Sequence, residues 1–153
     1  MKPWYTLQAA GNQAEISIYG TIGKDFWSGE GVGAADFIED LAALGNVAEL
    51  SIRINSEGGN VFDGIPIYNA LVRHKARKTV TIDGWAASIA SLIAMAGDTV
   101  IMPENTFLMV HGPSGGVFGN EQEMRAMADA LAKVKQGMAT TYMSKTGKDE
   151  AEV

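Results

Sequence analysis

Apolar and polar positions change period several times along this chain. Residues 15–20, Glu15-Ile16-Ser17-Ile18-Tyr19-Gly20, alternate with a period of two, which predicts a half-buried strand. Between Gly33 and Leu44 the apolar residues Phe37, Ile38, Leu41 and Leu44 fall at helical spacing, and Gly45-Asn46 supplies the stop. Alternation returns over 49–55. A second helix is expected from near Asp63 to His74, with Ile67, Tyr68, Leu71 and Val72 inward and Pro66 tolerable only near its first turn. Residues 79–83 read as a strand ending at Gly84, and 86–96 as an Ala-rich helix that is apolar all round and therefore interior. Short strands are expected over 99–102 and 106–111. Asn120 with Glu123 is a capping box that opens a long helix, whose Met124, Met127, Leu131, Val134 and Met138 form one stripe towards Gly147. Strand–helix alternation through the middle predicts an α/β fold. Nothing repeats internally and no linker is visible, so residues 1–153 read as a single domain.

Composition narrows what such a fold can do. Acidic residues outnumber basic ones 18 to 12, for a formal charge of −6, which disfavours a nucleic-acid partner. The one basic run, Arg73-His74-Lys75-Ala76-Arg77-Lys78, reads as a solvated helix end. No apolar run reaches the ~18 residues of a membrane helix. Met1-Lys2-Pro3-Trp4 leads into polar sequence with no signal-peptide pattern, so no membrane role and a cytoplasmic location are expected. The absence of cysteine removes disulfides, thiolate zinc sites and cysteine nucleophiles together. With two histidines, a zinc site would need several carboxylates to complete it, so neither metal nor cofactor is expected. The 18 glycines in 153 residues exceed the ~7% of ordinary chains and stand beside apolar runs, as tight connections or close backbone approaches require.

Three segments carry candidate chemistry. Ser88, in Gly84-Trp85-Ala86-Ala87-Ser88-Ile89-Ala90-Ser91, stands where a strand gives way to a buried helix. A nucleophile there gains exposure from the turn and free N–H groups from the first helical turn. The same serine is also readable as a small core filler bonded to the preceding turn, a role that suits Ser91 better. His111 ends an apolar run before Gly112-Pro113-Ser114-Gly115-Gly116; it is a general-base candidate or an ordinary satisfied histidine. Asn55-Ser56-Glu57-Gly58-Gly59 follows a strand, and its glycine pair lets backbone N–H groups approach a ligand oxygen or serves a loop with positive φ. No Gly-x-Gly-x-x-Gly occurs there, which weakens a dinucleotide reading.

In chain order, Ile54-Asn55-Ser56-Glu57-Gly58-Gly59, Gly84-Trp85-Ala86-Ala87-Ser88-Ile89-Ala90 and Met109-Val110-His111-Gly112-Pro113 together resemble the proteolytic subunit of the Clp protease (ClpP). The resemblance runs from the first strand to the long helix. Val61-Phe62-Asp63-Gly64-Ile65-Pro66-Ile67-Tyr68-Asn69 and Ala94-Met95-Ala96-Gly97-Asp98 look most like the phage and prophage branch, whose members trim capsid or scaffold protein during head maturation. The resemblance implies a ClpP/crotonase-like spiral of strand–helix repeats with a handle-type C-terminal helix. It implies a serine endopeptidase acting through an acyl-enzyme, with Ser88 as nucleophile and His111 as general base. Gly59 and Ile89 match the oxyanion N–H donors, and the strand edge at Gly58 and Gly59 matches the place where an extended protein or peptide substrate pairs. Partners implied are further copies of the chain in a ring, with an ATPase or a capsid or scaffold protein as candidates. A phage-encoded chain would work in the host cytoplasm.

Two departures from the family pattern bear on this. Glu57 stands where proline commonly precedes the glycine pair. The family's triad acid lies after the handle helix, whereas this sequence closes on Lys148-Asp149-Glu150-Ala151-Glu152-Val153. The expectation is thus a domain truncated before that segment, with His111 lacking its usual partner and turnover weak or absent. Asp98 and Asp63 are substitute acids, to be weighed against roles at a helix end and a helix start. Two rival readings stand beside the protease. A crotonase-like acyl-CoA enzyme would use carboxylates, and an inactive assembly protein would keep only the ClpP-like surface.

Overall fold

A computed structural model describes residues 3–25 and 28–152. They form two compact units divided after Met109. The first unit holds a sheet of six strands: β1 (Tyr5–Ala10), β2 (Gln13–Ile22), β3 (Glu49–Gly59), β4 (Arg77–Ala87), β5 (Thr99–Ile101) and β6 (Phe107–Met109). Its helices are α1 (Ala34–Ala43), α2 (Val61–Arg73) and α3 (Ile89–Ala94). β1 pairs antiparallel with β2, and β2, β3 and β4 run parallel. Both β5 and β6 lie parallel to β4, at Thr79–Thr81 and Trp85–Ala87 respectively. β3 holds the other edge of β4 from Arg77 to Ala86, so the two short strands share one edge, end to end.

The predicted alternation sets the core. Ile16 and Ile18 on β2, Leu50, Ile52 and Ile54 on β3, and Val80 and Ile82 on β4 are all buried, as are Phe37, Leu41, Ile67, Leu71 and every residue of α3. Each such aliphatic side chain contributes roughly 1.5–3 kcal/mol by leaving water. Trp4 stacks on Phe37 at 5.8 Å, and the Tyr5 hydroxyl donates to Asp40 at 2.7 Å. Burial, then that bond, raises the Tyr5 phenol well above its usual range. On the opposite face Arg53 grips Asp83 with two bonds of 2.7 and 2.9 Å, and Tyr19 donates to the same carboxylate.

Some elements differ from the sequence expectation. β1 was not foreseen. β4 runs through Gly84 to Ala87 rather than stopping, because both its edges are paired there: Ala86 faces Ser56, and Trp85 and Ala87 face Phe107 and Met109. That ladder overrides the helix propensity of Ala86 and Ala87, so α3 begins only at Ile89 and spans six residues. Pro66 sits beyond the first turn of α2, where it withholds a donor from the carbonyl of the exposed Phe62. The strand expected to end at His111 stops at Met109.

The second unit is built on α4 (Glu121–Thr146). Its start is the anticipated capping box: Asn120 accepts from the Glu123 N–H at 3.0 Å while Glu123 accepts from the Asn120 N–H at 2.8 Å. It ends at Gly147, whose φ of 71° gives the left-handed cap that glycine adopts without strain. Met138 and Tyr142 are buried, and Met124 is exposed.

Candidate active site

Ser88 is the only described non-glycine residue with positive φ, at 53° with ψ −129°. A side chain in that region costs on the order of 1–3 kcal/mol and persists only where surrounding bonds impose it. They do so here. The Ser88 N–H donates to the Met109 carbonyl at 2.9 Å, tying the corner to the end of β6. The Ser88 carbonyl accepts from the Ser91 N–H at 3.0 Å and the Ser91 hydroxyl at 2.5 Å. Ser91 is fully buried, whereas Ser88 is half-buried. The Ser88 side chain makes no capping bond to α3. Of the two serines, only Ser88 stands at the surface with a hydroxyl that the helix does not use.

The glycine pair is built against this corner. A Cβ on Gly58 would lie 2.6 Å from Ser88 Cβ, 2.8 Å from the Ala87 carbonyl oxygen and 3.2 Å from the Ile89 nitrogen. Gly58 and Gly59 hold φ of 99° and 151°, and a Cβ on Gly59 would overlap the backbone of Ile22. No larger residue fits either place. A Cβ on Gly64 would likewise overlap the Ile89 side chain, so α2 presses directly on the first residue of α3.

Two N–H groups remain to be assigned. Ile89 is the first residue of α3, where an amide has no partner within the helix. The Asn60 N–H donates to the Ile22 carbonyl at 2.9 Å, which directs it towards β2. Amides alternate sides along an extended strand, so the Gly59 N–H is directed to the other edge, away from β2. The Gly58 N–H, by contrast, is held by Ser56 Oγ at 3.0 Å. A half-buried hydroxyl beside closely packed glycines and the first amide of a helix is the kind of arrangement that acyl transfer uses: attack on a carbonyl with the developing negative charge held by amides.

The structure therefore brings together Ser88, Ile89, Gly58 and Gly59 within the first unit. His111 is exposed and belongs to the second unit. Both substitute acids are engaged elsewhere. Asp63 accepts from the Ala34 N–H at 2.8 Å and the Lys24 N–H at 3.2 Å, a carboxylate serving the start of α1 from the start of α2. Asp98 accepts from the Lys78 N–H at 2.7 Å. Lys78 is at the opposite end of β4 from Ser88, about 30 Å away at ~3.3 Å per residue. Asp98 is therefore too far away to orient a base at Ser88, and the Asp63 carboxylate is taken up by the Ala34 and Lys24 amides. Among the described residues no group of three or more His, Asp or Glu side chains is placed to hold a metal ion, and no helix is long and apolar enough to cross a membrane.

Sequence reasoning assigned no role to Ser56, whereas the role it gave Ser91, a buried filler bonded to the preceding turn, is the one observed. A signal existed for Ser56: it is the polar member of the inward row Leu50, Ile52, Ile54, Ser56, Gly58.

The sheet and its helices define an α/β protein, with Ser88 at the strained corner between β4 and α3. A family model described as Clp protease matches residues 8–153, and the chain belongs to the Clp protease family. An ATP-dependent Clp protease proteolytic subunit from Chlorella vulgaris is 35% identical over 101 residues, 64% of this chain and 50% of that protein. The chain thus spans about half the length of that relative.

Proposed function

We propose that this chain is a serine endopeptidase domain whose nucleophile is Ser88. The observation that carries the reading is the strained Ser88 corner packed against Gly58 and Gly59. Ser88 Oγ attacks the scissile carbonyl of an extended peptide, and His111 takes the hydroxyl proton. The N–H groups of Gly59 and Ile89 hold the oxyanion. Collapse expels the amine, which receives the proton from His111, and water then hydrolyses the acyl-enzyme by the same steps in reverse roles. His111 follows by two residues the Met109 whose carbonyl binds the Ser88 N–H, and it stands in the segment that resembles the family's base motif. Family membership favours this reading over an acyl-CoA enzyme.

The finer reading places the chain in the phage and prophage branch. It acts on capsid or scaffold protein in the host cytoplasm and works as a ring of copies joined in part through α4. The test is a fluorophosphonate probe followed by peptide mapping, alongside cleavage of a fluorogenic peptide. Labelling at Ser88 and loss of both signals in Ser88→Ala are expected. Labelling at another serine, or activity surviving in Ser88→Ala, overturns the assignment.

A further inference from the structure

We propose that Ser56 is a positioning residue for the oxyanion site, a role that rests on the Ser88 reading above. Ser56 is fully buried, and its hydroxyl is used twice: it donates to the Gly20 carbonyl at 2.6 Å and accepts from the Gly58 N–H at 3.0 Å. Both strands slip register at this level, β2 between Tyr19 and Thr21 and β3 between Ile54 and Ser56. The regular ladder is therefore interrupted just before the glycine pair, and a side chain supplies the link in its place.

The consequence concerns one peptide unit. The Gly59 N–H belongs to the peptide between Gly58 and Gly59, two residues with no Cβ to limit rotation. That peptide pairs with β2, Gly58 with Thr21 and Gly59 with Ile22, and two further bonds flank it. On one side the Gly58 N–H is fixed on Ser56 Oγ; on the other the Asn60 N–H is fixed on the Ile22 carbonyl at 2.9 Å. With the Ser56 anchor removed, the Gly58–Gly59 peptide keeps its pairing with β2 but loses the bond that sets the Gly58 N–H, and the direction of its own N–H is less closely held. Ser56 touches no substrate; it acts through Gly58 on Gly59.

The experiment compares wild type, Ser56→Ala and Ser56→Thr at equal protein concentration. Measurements are kcat and KM on a fluorogenic peptide, the rate of fluorophosphonate labelling, the Ki of a peptide boronate that mimics the tetrahedral oxyanion, and amide hydrogen exchange. Ser56→Ala should lower kcat and labelling rate about 10- to 100-fold and raise the boronate Ki similarly, with KM within about threefold. Exchange should accelerate at Gly58 while the Ile54 and Val80 amides stay protected. Ser56→Thr, which keeps the hydroxyl, should recover a large part of kcat. The proposal is overturned if labelled wild type and folded Ser56→Ala react equally fast. It is also overturned if protection is lost throughout β3 with no recovery in Ser56→Thr, which is the signature of a merely structural serine. Absence of Ser88 labelling in the wild type is a different failure. It removes the Ser88 reading itself, and this role with it.

Discussion

The Ser88 corner makes a stability prediction that runs against ordinary propensity. At φ 53° and ψ −129° a Cβ is held in a region that costs roughly 1–3 kcal/mol. Ser88→Ala keeps the Cβ and therefore the strain; Ser88→Gly removes both. Glycine also costs about 0.5–1 kcal/mol through the extra freedom of the unfolded chain. The balance leaves Ser88→Gly more stable than Ser88→Ala by about 1 kcal/mol, or some 2–4 °C in Tm for a chain of this size. The backbone bonds of residue 88 to Met109 and to the Ser91 N–H survive in both variants, so they cancel in the comparison. Urea titrations of the two at one protein concentration give the difference directly, provided their m-values agree. Both variants should be blank for probe labelling. Finding Ser88→Gly equal to or less stable than Ser88→Ala would mean that the corner stores no strain, and the case for a backbone held there for chemistry would fall with it.

Other expectations follow from single contacts. Gly58→Ala would put a Cβ 2.6 Å from that of Ser88 at a φ of 99°. It should cost about 2–3 kcal/mol and at least ~10²-fold in labelling rate, and labelling at the wild-type rate would refute the packing described. Asp98→Asn weakens the bond to the Lys78 N–H, so it should lower stability by about 1 kcal/mol and leave Ser88 labelling within twofold. A selective loss of labelling would restore Asp98 as a candidate acid. His74 accepts from the Ala76 N–H through Nδ1 at 3.2 Å, and burial, then the nearby Lys78, lowers its pKa below the ordinary 6.5. Between the folded and unfolded values the unfolded chain binds more protons. The stability that this ring contributes is therefore present above about pH 6.5 and lost as pH falls through the folded value. The pH slope of unfolding below 6.5 should flatten in His74→Asn, and an unchanged slope would contradict the reading.

Alternation and capping were legible from sequence because they are local. Leu50, Ile52 and Ile54 declare the inward face of β3, and Asn120 with Glu123 opens α4 at the residue expected. The Ala86–Ala87 step was misread for the opposite reason. Its conformation is fixed by Ser56 on one side and by Phe107 and Met109 on the other, partners far away in sequence that no window around Ala86 contains. The glycine pair and Ser88 could be picked out as candidates one at a time. Their juxtaposition, 30 positions apart, exists only once β3 and β4 are in register.

That dependence also decides where substitutions will be felt. The groups holding Ser88 in its unfavourable backbone state are the Met109 carbonyl, the buried Ser91 and the pressure of α2 at Gly64 on Ile89, and none of them is assigned a chemical step. Strain at residue 88 lasts only as long as these constraints outweigh it. Loosening any one lets the corner relax towards an ordinary strand end, which moves the hydroxyl from its present place beside Gly58. Ser91→Ala is the most direct case, since the 2.5 Å bond to the Ser88 carbonyl is lost while the side chain stays small. Under the nucleophile role proposed for Ser88, the buried Ser91 governs how its hydroxyl is presented, and loss of Ser91 should register in kcat before KM.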